Sequence, residues 1–135
     1  MLFRSIEDSI VATFITEYRL RPSPDEPEHR HQSWPLIAVA LTDRLSDGLS
    51  MVYSFYDTEL TSRSLGTYMI LDLVRRSHAE RRPFVYLGYW IELSPKMAYK
   101  ARFSPLQALS ADGWQPIASL SGLPIIPAER TERAR

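Results

Sequence analysis

Three stretches of this 135-residue chain carry side chains whose types and spacing could do chemistry. The first is Ser62-Arg63-Ser64-Leu65-Gly66-Thr67, at a predicted strand-to-helix turn. A helix N-terminus offers unpaired backbone N–H groups and the positive end of a dipole, which suits phosphate. Gly66 would let a ligand come close to the backbone. A plain capped helix with glycine in its first turn is the alternative. The second stretch is Ser94-Pro95-Lys96-Met97-Ala98-Tyr99-Lys100-Ala101-Arg102, a predicted short helix. Lys96 and Lys100, the only lysines in the chain, stand four residues apart. On one helix face two such like charges cost about 0.2–0.5 kcal/mol unless an anion lies between them. Arg102 adds a third cation with no acid among them, and Tyr99 is available to stack on a base. A solvated helix face is the alternative.

The third stretch is Tyr86-Leu87-Gly88-Tyr89-Trp90-Ile91. Glycine weakens an apolar strand unless a bulge or a close backbone approach requires it, so Tyr86 and Tyr89 would flank a cleft; aromatic core packing is the alternative. Asp57 closes a strand beside the first stretch, where it could serve as an acid, as a hydrogen-bond acceptor or simply as a turn residue. His29, His31 and His78 follow no metal or triad spacing, and the chain has no cysteine. No metal site, disulfide or cysteine nucleophile is therefore expected.

The elements that must position these residues follow from pattern. With 44% hydrophobic residues and zero formal net charge, the chain can build a core and is not a generically basic nucleic-acid coat. No apolar run reaches membrane-spanning length and no signal region opens the chain, so a cytoplasmic protein with no membrane partner is expected. Residues 9–20 read as a strand, 22–35 as a Pro-rich loop, and 36–42 and 49–56 as a hairpin turned at Ser46-Asp47-Gly48. In the second hairpin strand, Leu49, Met51, Tyr53 and Phe55 alternate with the other residues and are expected to face the core. Leu65, Met69, Ile70, Leu73 and Val74 recur at helical spacing, with Ser62 or Ser64 as cap and Arg75, Arg76 and His78 near the end. Phe84–Trp90 reads as a buried central strand. The expected architecture is a mixed α/β sheet flanked by helices, a single domain over 9–118 with a loose tail over 119–135. Leu2-Phe3-Arg4-Ser5 matches the translation of a common sequencing adapter, so 1–8 is expected to include a non-native leader.

The turn at Arg63 and Gly66 is comparable with the acyl-CoA acetyltransferase pattern Gln/Arg-x-x-Gly-x-Gly/Ala, but Tyr68 stands where the small residue belongs. Taken together, Tyr53-Ser54-Phe55-Tyr56-Asp57, Ser64-Leu65-Gly66-Thr67, Tyr86-Leu87-Gly88-Tyr89 and Lys96-Met97-Ala98-Tyr99-Lys100-Ala101-Arg102-Phe103 resemble one known set. It is that of the C-terminal half of the aminoacyl-tRNA–protein transferases, the arginyltransferase and bacterial aspartate/glutamate leucyltransferase family. The likeness spans about Leu36 to Gln115, and Glu17-Tyr18-Arg19 extends it upstream.

The resemblance implies a fold similar to the acetyltransferases (GNAT-like), with aminoacyl-tRNA in place of acyl-CoA. It implies transfer of Leu, or of Arg in the eukaryotic branch, to the N-terminal amine of proteins beginning with Asp or Glu, without a cofactor. Under it, Lys96, Lys100 and Arg102 are assigned to tRNA phosphate or ribose and Tyr99 to the terminal nucleotide. The turn at Ser64 and Gly66 faces the same 3′ end, Asp57 and Tyr89 handle the amine and its proton, and Arg19 is the cation for the acidic acceptor residue. Family members also carry an N-terminal half with cysteines, so a truncated form is expected. The competing readings are an acyl-CoA-dependent N-acyltransferase and a non-catalytic module that binds tRNA or protein N-termini.

Overall fold

A computed structural model describes residues 11–60, 64–90, 94 and 97–117. The expected leader, Ser62, Arg63, Lys96 and the expected tail lie outside the described residues. By their internal packing the residues fall into two units, one up to Gly88 and one from Tyr89.

The first unit is a four-stranded sheet with one helix. Strands β1 (Ala12–Arg19), β2 (Leu36–Arg44), β3 (Gly48–Tyr56) and β4 (Phe84–Tyr86) lie side by side in chain order. β1, β2 and β3 are antiparallel neighbours, whereas β4 runs parallel to β3. Helix α1 (Leu65–Ala79) makes that parallel return and packs on β3 and β4. Its buried stripe is Leu65, Gly66, Met69, Ile70, Leu73 and Ser77, while Val74 of the expected stripe is exposed. On the facing strands Ala38, Ala40, Thr42, Leu49 and Met51 are buried.

β3 departs from simple alternation. Leu41 pairs with Tyr53 but Thr42 pairs with Met51, so Val52 is an extra residue in the ladder. A bulge of this kind puts the residues beyond it on the opposite face. Leu49 and Met51 are therefore buried, and Tyr53 and Phe55, expected beside them, are each 54% exposed and lie against one another at 6.3 Å between ring centres.

The hairpin turn is closed by the Leu45 N–H on the Gly48 carbonyl at 2.9 Å. Gly48 is needed there for room: a Cβ would meet the Phe84 carbonyl oxygen at 2.7 Å, because β4 runs alongside. The expected central strand over 84–90 is shorter, ends at Tyr86 and is the edge strand of the described sheet, with Phe84 half exposed. The Pro-rich loop is pinned at its base by Leu20 N–H on the Pro35 carbonyl and contains a 3₁₀ turn, Glu28–Ser33.

At its C-terminus α1 ends in a Schellman arrangement, with Arg81 N–H on the His78 carbonyl and Arg82 N–H on the Ser77 carbonyl. The left-handed position that glycine usually takes is filled by Arg81 at φ 56°, which costs about 1–2 kcal/mol for a residue with a Cβ.

In the second unit, Met97 and Ala98 N–H groups bond the Ser94 carbonyl, and a 3₁₀ helix follows over Ala98–Arg102. A hairpin of β5 (Gln107–Ser110) and β6 (Gly113–Pro116) comes next. Among the described residues no helix is long and apolar enough to cross a membrane.

Candidate functional site

β3 and β4 pair over three residues only, from Gly48 opposite Phe84 to Ser50 opposite Tyr86. Beyond Ser50 the bulge at Val52 bends β3, and the chain leaves β4 at Gly88 with φ +71°. This positive φ accounts for the glycine, since a side chain there would be strained. A Cβ at Gly88 would also sit 3.6 Å from the Met51 carbonyl. The two parallel strands thus part at their C-terminal ends. In open α/β sheets ligands bind in such crevices, outside the carboxyl ends of the strands.

The residues singled out in the first unit lie on separate elements: Asp57 after β3, Ser64 and Gly66 at the start of α1, and Gly88 beside Met51 after β4. Asp57 follows β3 directly; its N–H bonds the Ile37 carbonyl and its carboxylate Oδ1 accepts the Glu59 N–H at 2.9 Å, as a turn aspartate does. Ser64 is the residue before α1, with φ 47° and ψ 48°, and its side chain makes no capping bond. The Ser64 carbonyl takes the Tyr68 N–H, and the residue is exposed. Gly66 is buried in the first helical turn.

The basic stretch belongs to the second unit. Its Ala98–Arg102 segment is a 3₁₀ helix, in which residues three apart align, here Tyr99 and Arg102; the expected pairing of Lys100 with Lys96 lies outside the described residues. Lys100 Nζ donates to the Tyr89 carbonyl at 3.1 Å. Burial pulls its pKa down from the usual lysine value. Tyr89 itself is 68% exposed, and Arg102 is exposed. Lys100 and Tyr89 are therefore brought together, through the backbone of the latter.

Arg19 is engaged with its surroundings. Nε and Nη2 bond Glu17 Oε2 at 3.0 and 2.8 Å, and Nη1 donates to the Gln32 and Trp34 carbonyls. It ties β1 to the Pro-rich loop.

One polar cluster went unmarked in the sequence. Asp72 of α1 receives Arg76 Nε at 2.7 Å, Arg75 Nη2 at 2.8 Å and the Tyr18 hydroxyl at 3.1 Å. Burial pushes the Asp72 carboxyl up, but the bonds from Arg75, Arg76 and Tyr18 outweigh it and hold the group below the ordinary range. Burial first, and the Asp72 charge second, push the Tyr18 phenol up. The Tyr18 ring meets Tyr68 edge-on at 5.8 Å, so Tyr68, in the first turns of α1, is braced by a fixed partner. The Asp72-x-x-Arg75-Arg76 spacing foretells the ion pairs. Nothing local foretells Tyr18.

The sequence pattern of the family described as "Arginine-tRNA-protein transferase, C terminus" matches residues 3–110. The chain belongs to this transferase family. Among its relatives, proteins named aspartate/glutamate leucyltransferase from Sinorhizobium medicae and from two Bradyrhizobium strains are 56%, 59% and 55% identical over 110, 109 and 117 residues. These alignments take in 82%, 81% and 87% of this chain but 42%, 42% and 45% of the relatives. The chain thus spans less than half the length of the leucyltransferases it matches. The motifs quoted from Tyr53 to Phe103 all lie inside the matched segment.

Proposed function

We propose that this chain is the C-terminal, GNAT-like part of an aminoacyl-tRNA–protein transferase. It would move Leu from charged tRNA to the N-terminal α-amine of proteins beginning with Asp or Glu. The observation that carries this reading is the transferase-family match over residues 3–110, which takes in Asp57, Ser64, Gly66, Gly88 and the basic stretch. Membership of the transferase family supplies the donor class, and the name of the bacterial relatives supplies the residue moved and the acidic acceptor.

In the proposed reaction the neutral α-amine attacks the carbonyl carbon of the aminoacyl ester. A C–N bond forms, the C–O bond to the terminal ribose breaks, and the amine proton ends on the freed ribose hydroxyl. Holding the two reactants in register can supply about 7–11 kcal/mol of the barrier. Asp57 and Tyr89 are proposed to handle the amine and its proton, and the Ser64–Gly66 turn to face the tRNA 3′ end. Lys96, Lys100 and Arg102 are proposed for its phosphates or ribose, with Tyr99 on the terminal base. Arg19 would serve the acceptor's acidic residue by exchanging Glu17 for the incoming carboxylate. The product, bearing a bulky N-terminal Leu, fits an N-end-rule degradation step in the cytoplasm. Residues 9–118 are the proposed transferase domain.

The test is transfer of radiolabelled Leu from charged tRNA to a peptide beginning with Asp or Glu, with Arg-tRNA and acetyl-CoA as competing donors. It is run with this chain and with the Sinorhizobium medicae relative as reference. Leu transfer by this chain, lost in Asp57→Asn, is the expected result. Activity with acetyl-CoA alone would replace the donor, and tRNA binding without transfer would leave a binding module.

A further inference from the structure

The C-terminal end of α1 holds a second concentration of positive charge, which the transferase reading does not use. Arg75, Arg76, Arg81 and Arg82 fall within eight residues, and Arg44 reaches the same end from β2 through Glu80. Asp72 holds Arg75 and Arg76, and Glu80 holds Arg44 and Arg82. Asp47, at the hairpin turn, accepts the Tyr86 hydroxyl. Five guanidinium groups thus stand against three carboxylates, and His78 is exposed beside them.

Arg81 differs from the other four. It is exposed, as Arg44 and Arg75 are, but unlike them it pairs with no carboxylate among the described residues. It also occupies the left-handed position of the helix end, where glycine would be relaxed. Residues held in such backbone conformations cluster at functional sites. Arg81 lines a shallow cleft of about 650 Å³ together with His78, Ala79, Arg82 and Pro83. One wall is rigid: Arg82 is held by Glu80 and by the Leu45 and Ser46 carbonyls. The Ser77 and His78 carbonyls, which would repel an anion at a helix C-terminus, already accept backbone N–H groups.

We propose that this end of α1 is a docking surface for the phosphate backbone of RNA, with Arg81 as its principal contact and His78 and Arg75 beside it. It rests on the reading of the chain as a tRNA-dependent transferase. The 15 residues of α1, at about 1.5 Å each, set this surface roughly 22 Å from the helix start. A short single-stranded 3′ end spans such a gap, so the terminal nucleotide at the Ser64–Gly66 end and the duplex stem at Arg81 would belong to one tRNA.

The test measures binding of the full chain to two RNAs across a salt series: an uncharged tRNA, and a blunt RNA duplex with no single-stranded end. Arg81→Gly is expected to weaken binding to both and to lower the slope of log affinity against log salt by about 0.9, one phosphate contact. The same variant raises the thermal midpoint, because the strain is gone. Arg81→Lys keeps the slope. A purely structural arginine would show the stability gain with unchanged binding, and that result overturns the proposal. If Arg81→Gly leaves binding unchanged while the wild-type chain prefers tRNA to the duplex, the surface fails and the transferase reading stands. If the variant weakens both RNAs and tRNA is not preferred, the surface stands and the transferase reading fails. Absence of binding to either RNA at low salt overturns both.

Discussion

On one face of the four-stranded sheet, Ala38, Ala40, Thr42, Leu49 and Met51 are buried beside α1. On the other, Ile15, Tyr53 and Phe55 keep more than half of their surface in solvent. The register places Ile15 opposite Leu41 and Leu41 opposite Tyr53, so these side chains form one continuous apolar stripe. Both faces are built from the same three strands, and both are rich in large apolar residues. One residue, Val52, decides which of the β3 side chains goes where. The contrast shows that apolar composition alone does not make a core; a face becomes core when another element closes on it.

The largest expected difference between the faces is in stability. Leu49 and Met69 are fully buried, so Leu49→Ala or Met69→Ala should destabilise the chain by about 2–5 kcal/mol in a denaturant titration. A loss below about 1 kcal/mol would mean that α1 is not seated on this face in solution.

Next in size is the Asp72 cluster, which anchors the edge of the helix side. Replacing Asp72 by Asn removes the charge that Arg75, Arg76 and Tyr18 share, and should cost about 1–3 kcal/mol. Its pH signature has a definite sign. The carboxyls of Asp72 and Glu80 are held below their usual values of 3.8 and 4.5, Glu80 at about 2. Stability from such groups is complete above the unfolded values and is lost as pH falls through the folded ones. The thermal midpoint of the wild-type chain should therefore drop between about pH 4.5 and pH 2. In Asp72→Asn the drop should be shallower. Parallel curves for the two proteins would rule out Asp72 as a source of acid sensitivity.

How much of this was legible beforehand differs by element. β1, the hairpin and α1 follow from β-branched runs, a turn dipeptide and a 3.6-residue stripe, all local signals. The bulge at Val52 is not local, because Leu49, Met51, Tyr53 and Phe55 keep perfect alternation in the sequence and only the β2 ladder reveals the slip. Phe84–Trp90 is apolar enough for a central strand, yet pairing stops at Tyr86 because Gly88 turns away at positive φ. Of the candidate site, Asp57, Ser64 and Gly66 were recognisable as strand-end and helix-start residues. The engagement of Arg19 with Glu17 and two loop carbonyls was not, since it joins residues up to 15 apart through a Pro-rich loop.

A smaller effect probes the quality of the helix side. Thr42 is 1% exposed, and its hydroxyl has no hydrogen-bond partner among the described residues. A buried hydroxyl without a partner loses its hydration and regains nothing. Thr42→Val, which keeps the shape and removes the polar atom, should raise stability by about 1 kcal/mol in the same titration. A loss instead would mean that the hydroxyl is bonded in solution.

The smallest expected change lies on the open face and is the most telling. The Tyr53 and Phe55 rings are 6.3 Å apart and tilted by 52°. If solvent reaches this face, Tyr53→Ser and Phe55→Ser forfeit the ring contact and only the covered half of each side chain, and each should cost less than Leu49→Ala. The same pair on the helix side would cost more. An isolated apolar face of this kind also promotes self-association, so the double variant should sediment as a smaller species at high concentration wherever the wild-type chain associates. A loss of stability on the scale of Leu49→Ala would show that the second face is closed in solution by part of this chain or by another copy, and the distinction between the two faces would then fall.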